Sequence, residues 1–121
     1  MREWINIVSD VEDQSVDLME MTYFRPNRTG LPLTIFVSKR GGARHDVRIK
    51  VSRSTSPNKN EMTSISVRPG VEITDGPSLS AGDFEIISRW IDGNRDALIR
   101  IWEDTGDLDS VDIAAMLEFD R

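Results

Sequence analysis

Apolar and polar positions alternate twice in quick succession near the middle of the chain. Leu33, Ile35 and Val37 fall on one side of an extended segment, and Thr34, Phe36 and Ser38 on the other. After Lys39-Arg40-Gly41-Gly42-Ala43-Arg44, the run from Asp46 to Ser52 repeats the pattern, with Val47, Ile49 and Val51 opposed to Asp46, Arg48, Lys50 and Ser52. Period two is the mark of a strand with one buried face. Two such runs around a Gly-Gly loop predict a hairpin with one apolar and one charged face. Residues 53–60, RSTSPNKN, carry no large apolar side chain and include Pro57, so they read as an exposed connection. A third strand is expected from Thr63 to Arg68, with Ile65 and Val67 inward. Pro69-Gly70 would bend it before Val71 and Ile73 continue it or begin a short fourth strand.

Beyond the Asp75-Gly76-Pro77 turn the period changes to that of a helix. Ser80 suits the N-cap, Asp83 stands at the N3 position of a capping-box variant, and Leu79 and Phe84 can close a hydrophobic staple. Phe84, Ile87, Ile91, Leu98, Ile101 and Trp102 then form one stripe, with Trp90 at its flank and Ser88 and Arg89 off it. The spacing predicts a helix over 80–104, with Gly93 as a site for a kink and Gly106 as the C′ residue. A second helix over 109–118 is expected to start at Asp109, stapled by Leu108 and Ile113, and to carry Ala114, Met116 and Leu117.

The first thirty residues show no clean period. Glu3 to Val8 reads as a strand or a helical turn, and about residues 10–20 as a helix. The expected division is an acidic amino-terminal segment, 1–22, and a single domain, 23–121. That domain is expected to be α+β: a three- or four-stranded antiparallel sheet packed on one face by the carboxy-terminal helical pair.

Charge adds a second pattern. From Arg25 to Arg68 there are ten Lys/Arg and only two acids, Asp46 and Glu61, whereas residues 1–24 hold one Arg and six acids and residues 69–121 four Arg and thirteen acids. The net charge of −6 hides this sorting. A basic middle between acidic ends implies a polyanion-binding surface or a chain that neutralises itself, within one molecule or in a dimer. The acids Asp10, Glu12, Asp13 and Asp17 are expected to lie near Arg40, Arg44 and Arg48. With no cysteine, disulfides and thiolate metal sites are excluded and a reducing cytoplasm is the natural compartment. The amino terminus has neither the apolar run of a signal peptide nor that of a membrane span.

The candidate binding set is Arg40, Arg44, His45, Arg48, Lys50 and Arg53, all on or beside the hairpin. Arg48 and Lys50 on its outward face suit a phosphate backbone, but Phe36 is the only ring on that face, so base stacking has little support. His45, the only histidine, reads as a hydrogen-bonding residue at a strand start. Its alternative role is general acid or base in metal-independent RNA cleavage, with an Arg stabilising the charge that develops on phosphorus. Glu103, Asp104, Asp107, Asp109 and Asp112 lack the order of a calcium loop, and capping accounts for Asp109 and Asp112. No phosphate-cradling glycine loop, zinc spacing or nucleophile elbow is present, so no cofactor or metal is expected.

The stretch Arg44-His45-Asp46-Val47-Arg48-Ile49-Lys50-Val51, together with Arg89-Trp90-Ile91-x-x-Asn94-Arg95-Asp96-x-Leu98-x-x-x-Trp102, resembles a family of small bacterial and phage proteins of unknown function. Its members pair a histidine-bearing hairpin with a carboxy-terminal helix reading Trp-x-x-x-Asn/His-x-Asp/Glu-x-Leu-x-x-x-Trp. The resemblance implies an accessory protein of mobile elements or of toxin–antitoxin-like pairs. With the charge pattern, it leads to the expectation of a non-enzymatic module acting through a protein partner or self-association. Two alternatives stand beside it. One is a phage inhibitor presenting an acidic surface to a nucleic-acid-binding defence complex; the other is a small toxin-like ribonuclease or nucleic-acid-binding protein using the basic hairpin.

Overall fold

A computed structural model describes residues 21–54 and 59–119. The expectations for Glu3–Val8, for a helix near 10–20 and for residues 55–58 fall outside them. Five strands, β1 (Met21–Phe24), β2 (Thr34–Ser38), β3 (Arg48–Ser52), β4 (Thr63–Ser66) and β5 (Ile73–Asp75), form one antiparallel sheet in the order β1-β2-β3-β4-β5. A single helical turn, α1 (Pro26–Thr29), joins β1 to β2, a 3₁₀ turn (Lys59–Glu61) precedes β4, and two helices, α2 (Ala81–Glu103) and α3 (Ser110–Met116), follow the sheet. The fold is α+β, with five strands in place of three or four.

β5 is the short fourth strand allowed by Val71 and Ile73; only β1 lies beyond the expected count, and its omission has a physical explanation. In β1, Thr22 and Phe24 face inward while Met21 and Tyr23 face outward, so no apolar–polar alternation marks the strand. It also straddles the boundary expected between residues 22 and 23. β5 is three exposed residues long, and a register shift between Ser64 and Ile65 breaks its pairing with β4. The hairpin of β2 and β3 is as expected, and its inward row Ile35, Val37, Val47, Ile49 and Val51 is buried with Ile65 and Val67.

The helical stripe closes this core: Ile87, Ile91, Leu98, Ile101 and Trp102 are all buried against the sheet, and Phe84 packs at its edge. Each such side chain contributes about 1.5–3 kcal/mol through removal from water. Ser80 caps α2, its Oγ accepting from the Asp83 backbone N–H at 3.1 Å. The reciprocal capping bond is replaced by a link across the molecule, where Asp83 accepts from Arg53 at 2.6 Å. α2 runs through Gly93 without a break, because packing on both sides of the glycine outweighs its weak helix propensity. Its C-cap is Asp104, not a residue ahead of a glycine at C′. Gly106 lies one position further on, where its N–H and that of Leu108 donate to the Asp104 carboxylate. α3 begins with a complete capping box between Asp109 and Asp112. At the expected turn, a Cβ on Gly76 would come within 2.2 Å of the Met62 carbonyl oxygen, and its φ of 91° favours glycine.

One polar residue lies on the apolar stripe. Asn94, 7% exposed, accepts from the Glu118 N–H through Oδ1 at 2.8 Å, and its Nδ2 donates to the carbonyls of Glu118 at 3.1 Å and Trp90 at 3.0 Å. Trp90 Nε1 donates to the same Glu118 carbonyl at 2.8 Å, and the Trp90 ring stacks on Phe119 with centroids 5.4 Å apart. This clamp fastens the tail after α3 to the middle of α2.

Candidate functional site

The loop between β2 and β3, residues 39–47, meets the end of α2 and the turn into α3. The Arg40 N–H donates to the Trp102 carbonyl at 2.9 Å, and Lys39 Nζ lies 2.8 Å from the Asp104 carboxylate. Thr22 on β1 and Ser110 at the start of α3 share a hydroxyl contact of 3.2 Å. These ties frame a groove of roughly 1410 Å³. Its apolar side chains are Leu108, half-buried, and Trp102 and Ile113, both almost wholly buried; Arg40 and Arg44 stand on the loop side, and Glu103 and Asp109 on the helix side.

The groove's charges differ in how they are engaged. Asp46 takes a forked hydrogen bond from Arg68, whose Nε and Nη2 donate at 3.0 Å to its two oxygens. That fork, with the Val47 backbone N–H, holds the Asp46 carboxyl below its usual range. Asp104 is lowered further, to about 2, first by the hydrogen bond from Lys39 and then by the backbone N–H groups of Leu108 and Gly106. Asp109 is also lowered, chiefly by the Asp112 N–H at the helix start. Arg40 and Arg44 are exposed and form no ion pair among the described residues.

His45 lies against Trp102, with ring centroids 5.3 Å apart and an interplanar angle of 32°. Its Nδ1 is 2.7 Å from the Asp46 carbonyl oxygen. A carbonyl only accepts, so Nδ1 carries the proton and Nε2 of the neutral ring is left as an acceptor. Among the described residues no hydroxyl hydrogen-bonds the ring, and the neighbouring carboxylate is held by Arg68. No group of three or more His, Asp or Glu among the described residues could hold a metal ion.

Folding divides the six residues singled out from the sequence. Arg40, Arg44 and His45 converge on the groove. Arg48 and Lys50 project from the sheet face opposite the helices, half-buried on β3 beside Phe36, where they line a small cavity together with Arg40 and His45. Arg53 stands apart, paired with Asp83 at the start of α2. Phe36 does face away from the helices, as expected, but is buried rather than displayed. The residues that sequence reasoning did not connect to the site are Lys39, Arg68 and Asp104, which hold the groove's walls together. Their signal was the charge sorting itself: Lys39, Arg53 and Arg68, all from the basic middle, meet Asp104, Asp83 and Glu103 from the acidic final third. No described helix is long and apolar enough to cross a membrane. No protein-family model, curated protein or solved structure matches the chain.

Proposed function

We propose that this chain is a non-enzymatic binding module that takes an extended segment of a partner protein into the groove between the β2–β3 loop and the α2–α3 turn. The observation that carries the reading is the arrangement of that groove: exposed Arg40 and Arg44 on the loop side, exposed Glu103 and Asp109 on the helix side, and half-buried Leu108 among them. Opposed lips of this kind select orientation and raise association rates more than they add affinity. An accessory role in a bacterial or phage setting is what the sequence resemblance implies.

The test is selection from a random peptide library on the full chain, followed by amide-shift mapping. Selected peptides are expected to combine an acidic and a basic end around an apolar centre and to perturb residues 40–45 and 102–113. Arg40→Glu with Arg44→Glu is expected to weaken binding about tenfold, equivalent to about 1.4 kcal/mol. Shifts confined to another surface would refute the groove. Saturable RNA binding with strand cleavage that depends on His45 would replace the proposal with the ribonuclease reading.

A further inference from the structure

The sheet has a second face, opposite the helices, and it is not built for solvent. Tyr23, Phe36, Lys50, Ser64 and Asp75 follow one another across the five strands on this side. Phe36 is 4% exposed, yet it lies outside the core formed by the helices and the inner face, and its neighbouring ring is Tyr23 at 5.8 Å. Thr34, Ser52 and Ser64, also on this side, are no more than 3% exposed. Arg48 and Lys50 bring two positive charges to the middle of the face, and Arg48 Nε is buried with no hydrogen-bond partner among the described residues.

We infer that residues 1–20 of the same chain dock on this face, with their carboxylates over Arg48 and Lys50 and their apolar side chains over Phe36. Three observations select this occupant. The segment enters the sheet at Met21, which opens the edge strand β1 on the same side as Tyr23 and Phe36. It carries six acids and a single Arg, interspersed with Trp4, Ile5, Ile7, Val11, Val16 and Leu18, so it matches the face in both charge and apolarity. Its length suffices: five strands span about 19 Å at a spacing of about 4.8 Å, and twenty residues reach about 30 Å even when wound as a helix. A second copy of the sheet fits poorly, because a two-fold pairing would set Arg48 and Lys50 against the same cations. The docked segment would also keep polyanions from the two charges. This docking does not rest on the groove reading, although Arg40 and His45 stand where the groove adjoins this face.

The chain has no cysteine, so Ser15→Cys gives the full-length protein a single attachment point for a nitroxide. Intrachain docking predicts selective broadening of the Phe36, Lys50 and Ser64 amides that persists when the labelled chain is diluted with unlabelled, isotopically silent chain. Broadening that appears only in mixtures of labelled silent chain with unlabelled enriched chain would assign the face to a second copy and overturn the proposal. Broadening over the helices or the groove, or none, would do the same. As an independent measurement, neutralising Asp10, Glu12, Asp13 and Asp17 to Asn or Gln in the full chain is expected to move heparin elution to higher salt. Unchanged elution would overturn the charge pairing.

Discussion

Replacing Asn94 with Asp changes one atom type in a side chain that holds three hydrogen bonds. Oδ1 keeps its bond from the Glu118 N–H, while Nδ2, which donates to the carbonyls of Glu118 and Trp90, becomes an oxygen facing two oxygens. Each lost bond accounts for about 0.5–1.5 kcal/mol. Burying a carboxylate against carbonyl dipoles adds to that cost, so the total loss should be about 2–4 kcal/mol. At about 4–8 °C per kcal/mol in a domain of this size, the melting temperature should fall by roughly 10–30 °C near neutral pH. The site would raise the new carboxyl's pKa above its unfolded value. The penalty is therefore largest at neutral pH and shrinks as pH falls towards about 4, where a protonated Asp can donate one bond again. Thermal melting across pH, with amide exchange at Leu117 and Phe119, reads both parts. A variant that melts within about 2 °C of the parent at pH 7 would show that the tail is held without Asn94, by the Trp90 hydrogen bond and the packing of Leu117 and Phe119.

Two further outcomes test the fold. Gly93 lies inside an unbroken helix with open space around its missing Cβ, so Gly93→Ala should stabilise the protein by about 1 kcal/mol, seen as a higher melting temperature. Asp104, lowered from 3.8 to about 2 by Lys39 and the backbone of its turn, contributes stability that is complete above its ordinary pKa and lost as pH falls through that interval. Acid unfolding of Asp104→Asn should lack that component and start from a lower stability at pH 7. An identical acid profile for parent and variant would remove Asp104 from the account.

What could be read from the chain follows from where the buried face was one-sided. β2 and β3 alternate because one side meets the helices, and the caps of α2 and α3 are local signals that need no tertiary information. β1 was concealed because both of its faces carry large side chains, with Phe24 in the core and Met21 and Tyr23 on the other side. The absence of a kink at Gly93 shows packing overriding a propensity of about 1 kcal/mol. Asn94 had a visible sign, a polar residue on the stripe between Ile91 and Leu98, but its partner is a backbone group after α3 that no spacing rule points to. The groove was illegible for the same reason: His45 and Trp102 meet only when the hairpin loop folds onto the end of α2.

The charge sorting now has a structural reading that bears on how variants should be interpreted. Part of the basic middle is spent on the acidic final third, through Lys39–Asp104, Arg53–Asp83 and Arg68–Glu103. Arg53 and Glu103 are largely exposed, and exposed ion pairs contribute about 0–1 kcal/mol each, far less than the buried stripe of Ile87, Ile91 and Leu98. The pairs therefore set where loops rest more than whether the domain folds. Arg40 and Arg44 are not engaged even in this way among the described residues, so reversing them removes no ion pair made with another described residue. A loss of peptide binding in Arg40→Glu with Arg44→Glu, at an unchanged melting temperature, is then a property of the groove itself. A concurrent fall in melting temperature would instead mean that the loop's cations help to hold the Trp102 end of α2 in place.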